Sequence, residues 1–98
     1  MPNFDDALDD YLHLIVRTRP WTKKREEQWL RTFGEWLEQR WGTNATLTWE
    51  SLSLVAPCAA ERGLQAGERE EMEVAVGNLC LWATRAEMME ASAAVRSR

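Results

Sequence analysis

Apolar side chains recur at intervals of three and four residues along most of this chain, and that spacing admits one class of structure. Phe4, Leu8, Leu12 and Ile15, with Tyr11 and Val16 beside them, form a first stripe. Trp29, Leu30, Phe33, Trp36, Leu37 and Trp41 form a second and wider one. Leu52, Val55, Ala56, Ala59 and Ala60 form a third, and Met72, Val76, Leu79, Ala83 and Ala86, with Trp82 adjoining, a fourth. A period near 3.6 is that of helices burying one face, and no segment alternates as a half-buried strand would. With 98 residues the chain has room for one modest core. The expectation is an all-α domain, a compact bundle of four to five helices joined by short loops.

Local signals mark where those helices begin and end. Asn3 is suited to cap the first, with Asp5 and Asp6 in its first turn complementing the helix dipole. Arg19-Pro20 interrupts the pattern, because proline disfavours the helical conformation in the residue before it. Thr22 then reads as the cap of the second helix and Gly42 as its end, with a loop over positions 42–46. Thr48 reads as the third cap and Gly63 as its close, with a kink or break expected between Ser53 and Pro57. The fourth helix follows a short connection over 64–67. The domain is expected to span 1–98, with an ordered core over about 3–86 and a tail over 87–98 that extends the last helix or frays.

Composition narrows the setting. Hydrophobic residues make up 45% and charged residues 29%, and no apolar run approaches the roughly 18 residues of a membrane span. The acidic start, Met1 to Asp6, has neither a basic nor an apolar region of a secretory signal, so a soluble cytoplasmic chain is expected. Cys58 and Cys80 lie on apolar faces without zinc-ligand spacing and read as reduced core residues.

The residues from which a reaction could be built are sparse. His13, the single histidine, and Tyr11, the single tyrosine, lie two positions apart on one helix and so face roughly 200° away from each other. Asp5, Asp6, Asp9 and Asp10 include pairs four apart, yet nothing in the sequence supplies a second acidic element to complete a cation site. No glycine-rich phosphate loop, Gly-x-Ser-x-Gly or His-Glu-x-x-His is present. The chain therefore reads as non-enzymatic, with no cofactor and no metal. Of the six tryptophans, Trp29, Trp36, Trp41 and Trp82 read as core; Trp21 and Trp49, at helix starts, read as packing staples, with stacking on a sugar or base as the alternative.

Charge is distributed unevenly. The net charge is −4, but positions 17–31 carry six basic residues (Arg17, Arg19, Lys23, Lys24, Arg25, Arg31) against Glu26 and Glu27. Cations gathered beside a helix N-terminus suit phosphate, while composition alone favours a charge run that is simply solvated beside Glu26 and Glu27.

Arg19-Pro20-Trp21-Thr22-Lys23-Lys24, followed by Leu30, Phe33, Trp36 and Leu37, resembles the helix of tyrosine recombinases and phage integrases that begins Ser-Pro-x-Thr and continues Leu-x-x-Phe-x-x-Phe-Leu. Thr48-Trp49-Glu50-Ser51-Leu52 and Glu61-Arg62-Gly63-Leu64 are similar, in register, to that family's Thr-Pro-Glu-Asp-Leu and Arg-Gly-Leu-Ser. Val76, Leu79 and Trp82 are similar to the Leu-x-x-Leu-x-x-Phe of its last helix. The likeness covers residues 4–86 and lies in the N-terminal core-binding, or SAM-like, domain. Two positions depart from it: Glu26 stands where the family has an aromatic, and Glu68-Arg69-Glu70-Glu71-Met72-Glu73 where its last helix carries arginines.

The resemblance implies half of a C-shaped clamp on duplex DNA, able to hold DNA without cleaving it, whether as an excised domain or a truncated gene product. Its partners would be the DNA backbone, a recombinase catalytic domain and sister protomers. By position it nominates Thr22, Lys23, Lys24, Arg31 and, on the last helix, Arg69. The alternative reading is a helical protein-interaction or dimerisation domain, whose surfaces would be the acidic first helix, the Glu-rich start of the fourth and the Met88-Met89 tail.

Overall fold

Asn3 opens the first helix by accepting the Asp5 N–H on its side-chain oxygen at 2.8 Å and the Ala7 N–H on its carbonyl at 3.0 Å. The computed structural model describes residues 3–42, 45 and 47–86. Over these the chain forms α1 (Phe4–Thr18), α2 (Pro20–Trp41), a 3₁₀ turn (Trp49–Leu54), α3 (Val55–Arg62) and α4 (Ala66–Arg85). No strand occurs among the described residues, so the architecture is the all-α bundle that the periodicity requires. None of these helices is long and apolar enough to cross a membrane. Residues 87–98, where a tail was expected, lie outside those described.

The junction between α1 and α2 is tighter than the sequence suggests. A single residue, Arg19, joins them at φ −142°, its N–H donating to the Ile15 carbonyl at 2.8 Å. Pro20 is the first residue of α2, where its missing N–H is not needed and its fixed φ is already helical. Thr22 is therefore not the cap; it lies inside the first turn of α2. The proline that reads as a breaker of one helix is the starter of the next.

The third segment divides where a break was expected. Thr48 N–H donates to Ser51 Oγ at 3.1 Å to open the 3₁₀ turn, and regular α-helix begins only at Val55. Pro57 is then the third residue of α3, where no intrahelical donor is required of it. Gly63 closes α3 in the left-handed conformation at φ 68°. Ala56 and Ala60, expected inward, are exposed, because the 3₁₀ turn shifts the phase of α3. Gln65 N–H donates to the Glu68 carboxylate at 2.9 Å and starts α4.

α1, α2 and α4 pack on one another, and α3 with the 3₁₀ turn covers α4 and the second half of α2. The core joins Leu8, Tyr11 and Ile15 of α1, Leu30 and Phe33 of α2, Leu47 and Val55, and Met72, Val76 and Leu79 of α4. Cys58 and Cys80 are both free and buried, and burial pushes each thiol up to about 11, which leaves little thiolate near neutrality.

The tryptophans divide differently from the sequence expectation. Trp36 is buried, and Trp29, Trp49 and Trp82 pack half-buried against the core. Trp41 is 55% exposed, because it falls in the last turn of α2, past the elements that cover Trp36. Trp21 is 77% exposed and staples nothing. Val16 and Ala86, also placed on apolar stripes, are exposed at the edges of theirs.

Gly34 allows α2 its closest approach to α1. A Cβ there would lie 2.8 Å from Phe4 Cε1, on a buried ring held edge-on to Phe33 with centroids 5.8 Å apart. Gly34→Ala is expected to cost about 1–3 kcal/mol through overpacking, outweighing the ~1 kcal/mol that alanine gains in helix propensity. Gly67→Ala, where an added Cβ meets nothing within 4 Å, is expected to range from neutral to about 1 kcal/mol stabilising. Urea midpoints of the two variants measure the contrast.

Candidate nucleic-acid interface

The basic corner between α1 and α2 rests on a buried carboxylate. Glu26, 7% exposed, lies in the second turn of α2 and accepts hydrogen bonds from three helical side chains. Tyr11 Oη of α1 donates to Glu26 Oε1 at 2.8 Å, Thr22 Oγ1 donates to Oε2 at 2.9 Å, and Asn78 Nδ2 of α4 donates to Oε1 at 3.2 Å. Arg19 at the corner donates from Nη2 to Tyr11 Oη at 2.8 Å and lies 3.7 Å from Glu26 Oε2. Burial, followed by donation to Glu26, raises the Tyr11 hydroxyl far above the usual tyrosine range.

This network removes two of the corner's polar groups from the outer surface. Thr22, nominated as a DNA contact, is half-buried with its hydroxyl turned inward to Glu26. Arg19 is likewise committed to Tyr11 and Glu26.

Glu27 commits two more of the nominated residues. Lys23 Nζ lies 3.2 Å from Glu27 Oε1 and Arg31 Nε donates to Oε2 at 2.8 Å, pairs one turn apart on either side. The hydrogen bonds from Arg31 and then Lys23 hold the Glu27 carboxyl below its ordinary value. Lys24 is exposed and forms no ion pair with a described residue; Arg17 does the same at the end of α1.

The outer surface of α2 follows from where its two acids go. At about 100° per residue, Trp21, Lys24, Arg25, Gln28, Arg31 and Thr32 share an arc of roughly 120° that extends about 16 Å along the axis. Glu26 and Glu27 lie outside that arc, one buried and the other between Lys23 and Arg31. The stripe ends at Glu35. Across it the nearest acid of another element is Glu71 of α4, 3.5 Å from Arg25 Nη1.

Arg69 is not brought to this stripe. It is about 200° around α4 from Glu71 and pairs with Glu73 at 3.9 Å on its own helix. A groove of 420 Å³ separates the first halves of α2 and α4, with Trp29 and Val74 as apolar walls and the Arg25–Glu71 pair across its rim. Among the described residues no group of three or more His, Cys, Asp or Glu side chains could hold a metal ion. Tyr11 is buried while His13 is exposed, its Nδ1 2.8 Å from the Asp9 carbonyl, so the two do not meet.

Trp21, Arg25, Gln28 and Thr32 belong to the stripe but are not among the residues that the resemblance nominates. The signal for Trp21 was present: it lies three and four positions before Lys24 and Arg25, and half a helical rotation from Leu30.

Two measurements test the buried network. Glu26→Ala strands the Tyr11 and Asn78 donors and is expected to lower unfolding free energy by about 2–4 kcal/mol in urea, with Glu26→Gln costing less. Because the folded state raises the Tyr11 pKa, its neutral form contributes stability below the unfolded value of about 10. That stability is lost as pH climbs toward the folded value. Tyrosinate absorbance from this single tyrosine should therefore appear only together with loss of helical circular dichroism, and not near pH 10 in the native protein.

No protein-family model, no curated protein and no solved structure matches this chain.

Proposed function

We propose that this domain is a non-catalytic DNA-binding module that holds the phosphate backbone of duplex DNA on the outer face of α2, as a core-binding domain of the tyrosine recombinase type would. The observation that carries the reading is the acid-free stripe from Trp21 to Thr32, on which Lys24 is exposed without an ion pair. Cations on one helix face contact successive phosphates and release condensed counterions, so affinity falls steeply with salt. The same reading assigns α4 a lesser part than the resemblance implies. Glu70 is exposed at the groove rim, and Arg69 lies away from the α2 stripe. A recombinase catalytic domain and sister protomers remain the partners that this reading entails.

A second reading, a helical protein-interaction or dimerisation surface, is favoured by one observation. Val74, an apolar wall of the groove, and Leu81, seven residues further along one stripe of α4, are 62% and 48% exposed.

Fluorescence anisotropy with a labelled duplex across a salt series separates the two. The DNA reading expects binding at low salt, with the log–log slope shallower by about 0.9 after Lys24→Ala. Glu27→Gln releases Lys23 and Arg31 from their shared partner and is expected to tighten binding several-fold, on the order of one added phosphate contact. No retention of duplex at low salt, with a change of mass on concentration that Val74→Ser abolishes, would decide for the protein interface.

A further inference from the structure

Trp21 is the side chain whose position the fold does not account for. Its indole is 77% exposed in the first turn of α2, on the side of the helix opposite Leu30, so no core position is within its reach. A single exposed apolar residue is ordinary. This one has Lys24 and Arg25 one turn further along its own face, with Arg25 paired to Glu71 of α4. Gln28 and Thr32 continue that face, and neither is apolar. An aromatic anchor for a protein partner ordinarily sits in a well-packed pocket from which its neighbours exclude water, and Trp21 does not line the groove between α2 and α4. A flat π surface with cations one turn along the same face matches the repeating chemistry of a nucleotide, a base beside a phosphate.

Away from its two ends an intact duplex offers no free base face, because each base is stacked between its neighbours. An indole at the end of a phosphate-binding stripe gains a stacking partner only where a base is unpaired. We propose that Trp21 is a stacking platform for an unpaired base, so that the α2 face takes DNA in which a duplex gives way to single strand in preference to blunt, fully paired duplex. This rests on the phosphate-binding reading of α2 and names the class of DNA that it takes.

The test compares a blunt duplex with the same duplex bearing a short single-stranded overhang, using the whole chain, by anisotropy at low salt. The native protein is expected to bind the overhang DNA more tightly. Trp21→Ala should lose roughly tenfold on the overhang DNA and far less on the blunt duplex, whose open base faces are those of its two terminal pairs, while Trp21→Phe, which keeps a π face, should retain most of the preference. Lys24→Ala should weaken both DNAs alike, since a phosphate contact does not depend on pairing. The exposed ring predicts an unchanged urea midpoint for both Trp21 variants, which separates loss of stacking from loss of fold. Equal binding of the two DNAs by the native protein, or an equal loss on both after Trp21→Ala, overturns the stacking role and leaves the phosphate stripe standing. Failure of either DNA to bind at low salt overturns both.

Discussion

The Glu26 carboxylate is the charge on which the arrangement of α1, α2 and α4 depends. A buried carboxylate is tolerated only when its lone pairs are filled, and the donors come from Tyr11, Thr22 and Asn78, one on each of the three helices. Such a site is directional in a way that apolar contact is not. Tyr11 has to face α2, Asn78 has to face α2 from the other side, and the α1–α2 corner has to bring Arg19 back over both. The one-residue connection at Arg19 meets that last requirement, and Pro20 allows it by entering α2 without needing a donor partner. Leucine and phenylalanine contacts fill the space around the network, whereas the network selects which faces of the helices meet.

The consequence reaches the surface. An acid drawn inward and a second acid held between Lys23 and Arg31 leave the stretch of α2 from Trp21 to Thr32 with a face that carries none of the helix's own acids, although the chain as a whole is acidic. Net charge alone would have argued against an anionic partner; its distribution around one helix does not. The same network withdraws Thr22 and Arg19 from that partner, so fewer groups are on offer than the sequence suggests. Other surface charges are spent similarly: Glu61 accepts from the Trp36 indole at 2.6 Å and from Arg40, and these hydrogen bonds hold its carboxyl below the ordinary value.

Glu26 also shows why the resemblance and the structure must be read together. It stands where recombinase core-binding domains have an aromatic, and as a sequence feature it reads only as an acidic neighbour of basic residues. Its environment accounts for a carboxylate at this position, since Tyr11 and Asn78 are placed to serve a carboxylate and not a ring. The nominated contacts separate on the same ground. Lys24 is presented to solvent, Lys23 and Arg31 share Glu27, Thr22 faces inward and Arg69 lies on another flank. One-dimensional order places these residues near each other but carries no information about which partner each side chain finds across the bundle.

An all-α bundle of four to five helices, their approximate ends, the break before Pro57 and the burial of both cysteines follow from the sequence alone. Each depends on short-range causes: a 3.6-residue period, a capping side chain, a proline or glycine with restricted or permissive φ. The start of α2 at Pro20 was misjudged because proline ends one helix and begins another by the same local chemistry. What tertiary structure alone decided is the role of the polar and aromatic residues on those helices. Trp36 and Trp41, five positions apart on one helix, differ in burial because α3 and its Glu61 reach only the first. Glu26 and Glu27, adjacent in sequence, become a buried hub and a surface clamp because α1 and α4 supply donors to one side of α2 only. Helical periodicity states which residues share a face, while the identity of whatever lies against that face is a long-range property that no local window of sequence contains.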